Sequence, residues 1–170
     1  MSALLKPIPI SCNRCGVCCS SLIKTKDGIS KGLFLTEKER DLFNYDVVKP
    51  SRALGRKKPE KVISYQLSVS PCPHLEGNVC KIYEKRPLTC KAYPFQISLS
   101  NDIDTDCTEI RKVLKPNEHK FFDPPLESKE ALNKIRSYFT NRVEKYMKTG
   151  YREWNYDLSS NEWIVRSSLS

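Results

Sequence analysis

The chain has 170 residues, with 29 Lys and Arg against 20 Asp and Glu and a formal net charge of +9. Hydrophobic residues, counting Tyr, make up 39%, a lean core for one domain with a short appendage and hardly room for a second full domain. No run of about 18 apolar residues occurs, which excludes a transmembrane helix. Met1–Ile10, with one Lys and two prolines, is too short and interrupted for a secretory signal.

Residues 1–11 read as an irregular lead-in. Residues 12–19 read as a cysteine knuckle in which Gly16 permits a turn with positive φ. Thr36-Glu37-Lys38-Glu39 carries the capping-box pattern and opens a short helix through Leu42 and Phe43. Residues 49–61 hold six basic residues and one acidic one. With Pro50, Gly55 and Pro59 among them, the stretch reads as a loop. Ile63, Tyr65, Leu67 and Val69 alternate with polar residues, as a half-buried strand does. Pro71, Pro73, Pro87 and Pro94 then leave room for only a short strand at 79–83.

Phe95, Ile97 and Leu99 alternate again, and Ser100-Asn101-Asp102 suits a turn, so 93–106 reads as a hairpin ending at Cys107. Thr108 caps a short helix that stops before Pro116. The clearest helix is 129–148, where Leu132, Ile135, Phe139, Val143 and Tyr146 recur at three- and four-residue steps. Ser128 is its N-cap and Gly150 its stop. Trp154, Tyr156 and Leu158 alternate before a polar turn and Trp163-Ile164-Val165, a terminal hairpin. The fold class is therefore a small, irregular α+β domain. Residues 1–125 form a metal-organised cysteine-cluster domain, and 126–170 a helix and hairpin packed on it.

The eight cysteines are Cys12, Cys15, Cys18, Cys19, Cys72, Cys80, Cys90 and Cys107. An even count suits a disulfide framework in a small secreted chain. The chain length, the N-terminal pattern and four cysteines within eight residues favour metal ligation in a cytoplasmic setting instead. In Cys12-x-x-Cys15-x-x-Cys18-Cys19 the two-residue gaps turn consecutive thiolates toward one centre. Three thiolates so spaced, with a fourth from elsewhere, hold a cubane iron–sulfur cluster. Two of them also make half a zinc site. Neighbouring side chains diverge, so one of Cys18 and Cys19 serves a different centre. That gives two four-ligand sites, or one cluster plus a structural metal. His74 reads either as a ligand or as a histidine bonded to a backbone carbonyl. His119 lies outside every cluster and reads as a surface residue.

These residues resemble the YkgJ-type cysteine-cluster family, the CxxCxxCC zinc- or iron-chelating domain. The likeness runs from Cys12-Asn-Arg-Cys15-Gly-Val-Cys18-Cys19 through Cys72-Pro-His74-Leu75 and Cys80-Lys-Ile-Tyr83-Glu-Lys-Arg86-Pro87-Leu-Thr-Cys90 to Tyr93-Pro94-Phe95 and Cys107. It implies that all eight cysteines bind metal in a small cytoplasmic protein. Pro87 pushes Arg86 into extended backbone. Its charge then either offsets the thiolates, making Arg86 and Lys91 cofactor-contacting residues, or pairs with Glu84 or another carboxylate. Tyr83 and Tyr93 either wall the site from water or belong to the core.

The basic excess sits early, with a net +7 in residues 1–61 and +5 in 49–61 alone. Such a loop suits nucleic acid, an acidic protein partner or a lipid surface, or is simply solvated. No constellation for independent catalysis is present, whether a Ser-His-Asp set, a phosphate-cradling Gly loop or His-Glu-x-x-His. Two readings follow. One is an iron–sulfur protein of the 4Fe-4S type, acting in electron transfer or as an accessory to a partner enzyme. The alternative is a structural zinc module contacting nucleic acid or an acidic protein through its basic loop.

Overall fold

A computed structural model of the chain describes residues 8–96, 103–115, 122–147 and 149–166. In chain order the elements are β1 (Ile8–Pro9), α1 (Val17–Ser20), β2 (Lys24–Lys26), β3 (Ile29–Lys31), β4 (Leu33–Leu35), β5 (Val48–Gly55), β6 (Lys61–Leu67), β7 (Leu75–Glu76) and β8 (Val79–Cys80). Then come α2 (Leu88–Ala92), α3 (Thr108–Val113), β9 (Phe122–Asp123), α4 (Leu126–Met147), β10 (Arg152–Asp157) and β11 (Glu162–Val165). The mixture is α+β, as expected, with short 3₁₀ turns at Glu39–Leu42, Tyr45–Val47 and Tyr83–Lys85. No helix among the described residues is long and apolar enough to cross a membrane. The chain divides into two compact units, Met1–Cys18 with His74–Ile135, and Cys19–Pro73 with Arg136–Ser170.

The first unit is built of short pieces around Ile10, Ala92, Phe95, Ile110, Ala131, Leu132 and Ile135, all buried. β1 pairs in parallel with β9, and β7 with β8 as a hairpin turning at Gly77-Asn78. Phe95 and Ile103 form a single antiparallel bridge, in keeping with the expected 93–106 hairpin. Its turn at 100–102, with Ile97 and Leu99, lies outside the described residues, as does His119. Thr108 does not cap α3: it is the first helical residue, and Cys107 occupies the N-cap position. α4 begins at Leu126, three residues earlier than the pattern predicts. The Ser128 hydroxyl is therefore not a cap, and donates instead to the Lys91 carbonyl at 2.8 Å.

The second unit is a five-stranded antiparallel sheet in the order β11-β10-β5-β6-β4, with β2 and β3 as a separate hairpin. Leu35, Ala53, Leu54, Ile63 and Leu67 are its buried apolar residues, and Gln66 is buried with them. Gln66 accepts from Gly32 N and donates to the Pro50 and Tyr156 carbonyls, so its amide serves three strands' worth of backbone. From α4, Phe139 meets Phe34 with ring centroids 5.1 Å apart, and the Tyr138 hydroxyl donates to Ile63 O. The capping box forms only in part: Thr36 N and Oγ1 both donate to Glu39 Oε2, but Glu39 N goes to the Thr36 carbonyl and the element that follows is the 3₁₀ turn Glu39–Leu42. The terminal hairpin forms too, and α4 ends before Gly150 at φ +77°.

Residues 49–61 are not a loop. Most of the stretch is β5 and the start of β6, with a tight turn at 56–60. Pro50 is tolerated because the β5–β6 register shifts beside it. Arg52 is not a solvent charge: it pairs with Glu153 at 3.2 Å and lies over the Phe139 ring. Gly55 makes the turn, since a Cβ there would sit 1.8 Å from Lys58 O.

Lys31 Nζ donates to Asn155 Oδ1 at 2.6 Å, close to Arg52 and Arg166, which share the Glu153 carboxylate. Burial first, and then Arg52, lower the Lys31 pKa from 10.5 to about 8. Between those values the unfolded chain binds more protons than the folded one, so this residue's contribution to stability rises with pH. Urea unfolding of the wild type and Lys31→Met at pH 8 and pH 10 is expected to show the difference moving in the wild type's favour. An unchanged difference would mean that Lys31 keeps its ordinary pKa.

Candidate metal centre

Six cysteines belong to the first unit: Cys12, Cys15, Cys18, Cys80, Cys90 and Cys107. Cys12 is exposed, the others are half-buried, and none of the eight in the chain forms a disulfide. The Cys12–Cys18 run turns through two left-handed residues, Arg14 at φ +58° and Gly16 at φ +76°. A Cβ on Gly16 would lie 3.2 Å from Asn78 Cα and 3.4 Å from Leu75 Cδ1. The absent side chain thus lets the β7–β8 hairpin, which carries Cys80, sit directly against the run. Cys90 lies in α2, behind the buried Pro87.

Asn13 ties the run to the start of α3. Its Oδ1 accepts from Cys15 N at 3.1 Å, and its Nδ2 donates to Glu109 at 2.6 Å. Cys15 Sγ is 3.2 Å from the Thr108 hydroxyl, next in sequence to Cys107. Charge reports the same neighbourhood. The Lys112 pKa is raised chiefly by Glu109, with smaller contributions from the Cys15 and Cys107 thiols. Burial, then Asp104, Cys107 and Cys18, push the Tyr93 phenol far up. Cys107 thus acts on both groups, with Cys15 beside it at Lys112 and Cys18 beside it at Tyr93. Cys19 and Cys72 belong to the second unit, where Cys72 N donates to Cys19 O at 2.8 Å. The boundary between the units falls between the neighbouring Cys18 and Cys19.

Arg86 takes the carboxylate alternative, through a residue other than Glu84. It is buried, donates to Glu127 Oε2 and the Tyr83 carbonyl, both at 2.6 Å, and lies over the Tyr83 ring. Arg14 lies over the same ring, 4.0 Å from its centroid. The cations that the structure sets beside the cysteine run are thus Arg14 and Lys112, which the sequence pattern did not single out. Asn13 and Thr108 were missed as well. The only signal for Asn13 was its place between Cys12 and Cys15. Lys91 is half-buried at the end of α2, where its carbonyl holds Ser128. His74 shares the β7–β8 hairpin, its carbonyl accepting from Lys81 N.

The donor set is all sulfur, which fits zinc and iron–sulfur clusters alike. Among the described residues, no three His, Cys, Asp or Glu side chains are gathered closely enough to hold an ion as they stand.

A family model described as "CxxCxxCC: Putative zinc- or iron-chelating domain" matches residues 11–119, and the chain belongs to that family. No curated protein and no solved structure matches the chain. The match supports metal binding by the cysteine cluster.

Cys15→Ser is expected to lose bound metal, because Cys15 is tied by Asn13 and Thr108 to the Cys107 end of the site. His74→Ala is expected to keep the wild-type metal content. Elemental analysis of the two purified variants against the wild type checks both, and full metal in Cys15→Ser would remove that residue from the ligand set.

Proposed function

We propose that the chain is an iron–sulfur protein of the 4Fe-4S type, serving electron transfer or a partner enzyme as an accessory subunit. The carrying observation is the collection of six thiols in one unit, with the Cys15 sulfur 3.2 Å from the hydroxyl of Thr108, the residue after Cys107. Four thiolates complete a cubane, and the first unit offers more than four. Cys19 and Cys72 complete the proposed set of eight ligands as a pair that serves a second metal. When bound, the cluster supplies one-electron transfer. The chain's own part is to hold the sulfurs, to offset their charge through Arg14 and Lys112, and to limit water through Tyr83 and Tyr93. Arg86 and Lys91 belong in the proposal as residues flanking Cys90 on either side. We place the protein in the cytoplasm, where thiols stay reduced, and give it no catalytic activity of its own.

Iron, zinc and acid-labile sulfide are to be counted on full-length protein purified without oxygen. About four iron and four sulfide per chain are expected, with visible absorption. Zinc without sulfide would overturn the cluster.

The second reading is a structural zinc module that binds single-stranded nucleic acid or an acidic protein. The observation favouring it is the tip of the β5–β6 hairpin. Arg56, Lys57, Lys58 and Lys61 are exposed there. Arg56 lies over Tyr151 and Lys61 over Tyr146, and the two rings are 5.5 Å apart. Cations beside paired aromatic rings suit phosphates and stacked bases together. Under this reading, reversing the charge of Arg56, Lys57 and Lys58 together weakens binding of a single-stranded oligonucleotide by more than about tenfold at low salt. Unchanged binding would leave the hairpin passive.

A further inference from the structure

Among the described residues, the Tyr93 hydroxyl is the one buried side-chain oxygen of the first unit without a hydrogen-bond partner. Phenylalanine would fill the same space without burying an unpaired polar group, so the hydroxyl calls for an acceptor that the chain alone does not supply. Its surroundings narrow the choice. Tyr93 follows Cys90 at the end of α2, with its N–H on the Thr89 carbonyl. Asp104 N donates to Pro94 O at 2.8 Å, and Cys107 N to Asp104 O at 3.3 Å, which brings the Cys107 segment alongside. The Asp104 carboxylate is already engaged by Asp106 N at 2.9 Å. Asp104 keeps a second carboxylate oxygen, and Asp106 and the sulfurs of Cys107 and Cys18 also act on the phenol. Of these groups the sulfurs are the ones that metal binding turns into charged acceptors, since ligation takes the thiolate.

We propose that the Tyr93 hydroxyl donates a hydrogen bond to a ligand sulfur of the bound metal centre, at Cys18 or Cys107, and thereby tunes that centre. This rests on the metal-binding reading above. Tyr93 is a positioning and tuning residue and does not ligate the metal. A donor on a ligand sulfur withdraws negative charge from it, which favours the more reduced cluster and raises the reduction potential. In a zinc centre the same bond steadies the thiolate and slows loss of the metal.

The test compares full-length, metal-loaded wild type with Tyr93→Phe. Metal and sulfide per chain are measured first. Wild-type protein that takes up neither iron nor zinc would sink the metal reading and this inference with it. With equal metal in both proteins, the inference alone is on trial. For iron, the variant is expected to show a lower reduction potential, by an amount on the order of the 59 mV that corresponds to tenfold in a one-electron equilibrium. For zinc, the variant is expected to release metal to a chelator about tenfold faster, the loss of one hydrogen bond to a charged group. An unchanged potential or release rate at full occupancy refutes the role. Should Tyr93→Phe fail to fold, the wild type still decides. Its Tyr93 ring-carbon NMR signal, assigned by selective labelling, must move when metal is added, and a signal indifferent to metal overturns the proposal.

Discussion

Thiolates gathered at one place repel one another, and each loses hydration as it is drawn in. The architecture of the first unit answers that constraint with short, stiff pieces. α2, α3 and the β7–β8 hairpin are each too short to persist alone in water. They are fixed instead by the core of Ile10, Phe95, Ile110 and Ile135, and by side-chain ties at Asn13, Thr108 and the Arg86–Glu127 pair. The buried arginine in that pair is stacked on Tyr83 and satisfied by a carboxylate and a carbonyl, the condition under which a buried charge is tolerated. Its role is therefore to hold α4 to the 83–86 turn, which aims the following helix and its Cys90. The thiols stay out of the hydrophobic core, so ligation adds to the stability of this unit without competing with its packing.

The second unit needs no such help. Its sheet buries Leu35, Leu54 and Leu67 completely and satisfies the buried Gln66 on all sides. Two kinds of stability thus run through one chain. One comes from strand pairing and apolar burial. The other comes from a modest core, side-chain ties and the sulfur donors.

Local signals carried much of this in the sequence. Strands at β6 and β10, the periodic face of α4 and the turn glycine at Gly16 are short-range patterns, and each formed, although the polar members of the two strand alternations, Ser64, Gln66, Asn155 and Asp157, are buried. The 49–61 stretch misled because charge and proline usually mark solvent and loops. Arg52 escapes the rule through Glu153 and Phe139, and Pro50 through a register shift, partners that lie far away in sequence. The start of α4 was placed late for a similar reason, since Ser128 has the composition of a cap but its hydroxyl is drawn to Lys91 O. Among the site residues, the cysteines announced themselves by spacing. Asn13 and Thr108 did not, because their value lies in what they touch across more than ninety residues, and no local pattern encodes that contact.

The division of the chain also bears on its chain entropy. Residues 19–73, which hold β2 to β6, are inserted between Cys18 and His74. An insertion of that length would oppose bringing its two ends together if it were flexible, since loop closure costs entropy. Here the insertion closes itself. Cys72 N donates to Cys19 O, Leu22 N to the Ser70 hydroxyl, and that hydroxyl to Ser20 O. The folded insertion therefore meets the closure cost within its own unit. The peptide bond between Cys18 and Cys19 marks where one kind of order gives way to the other.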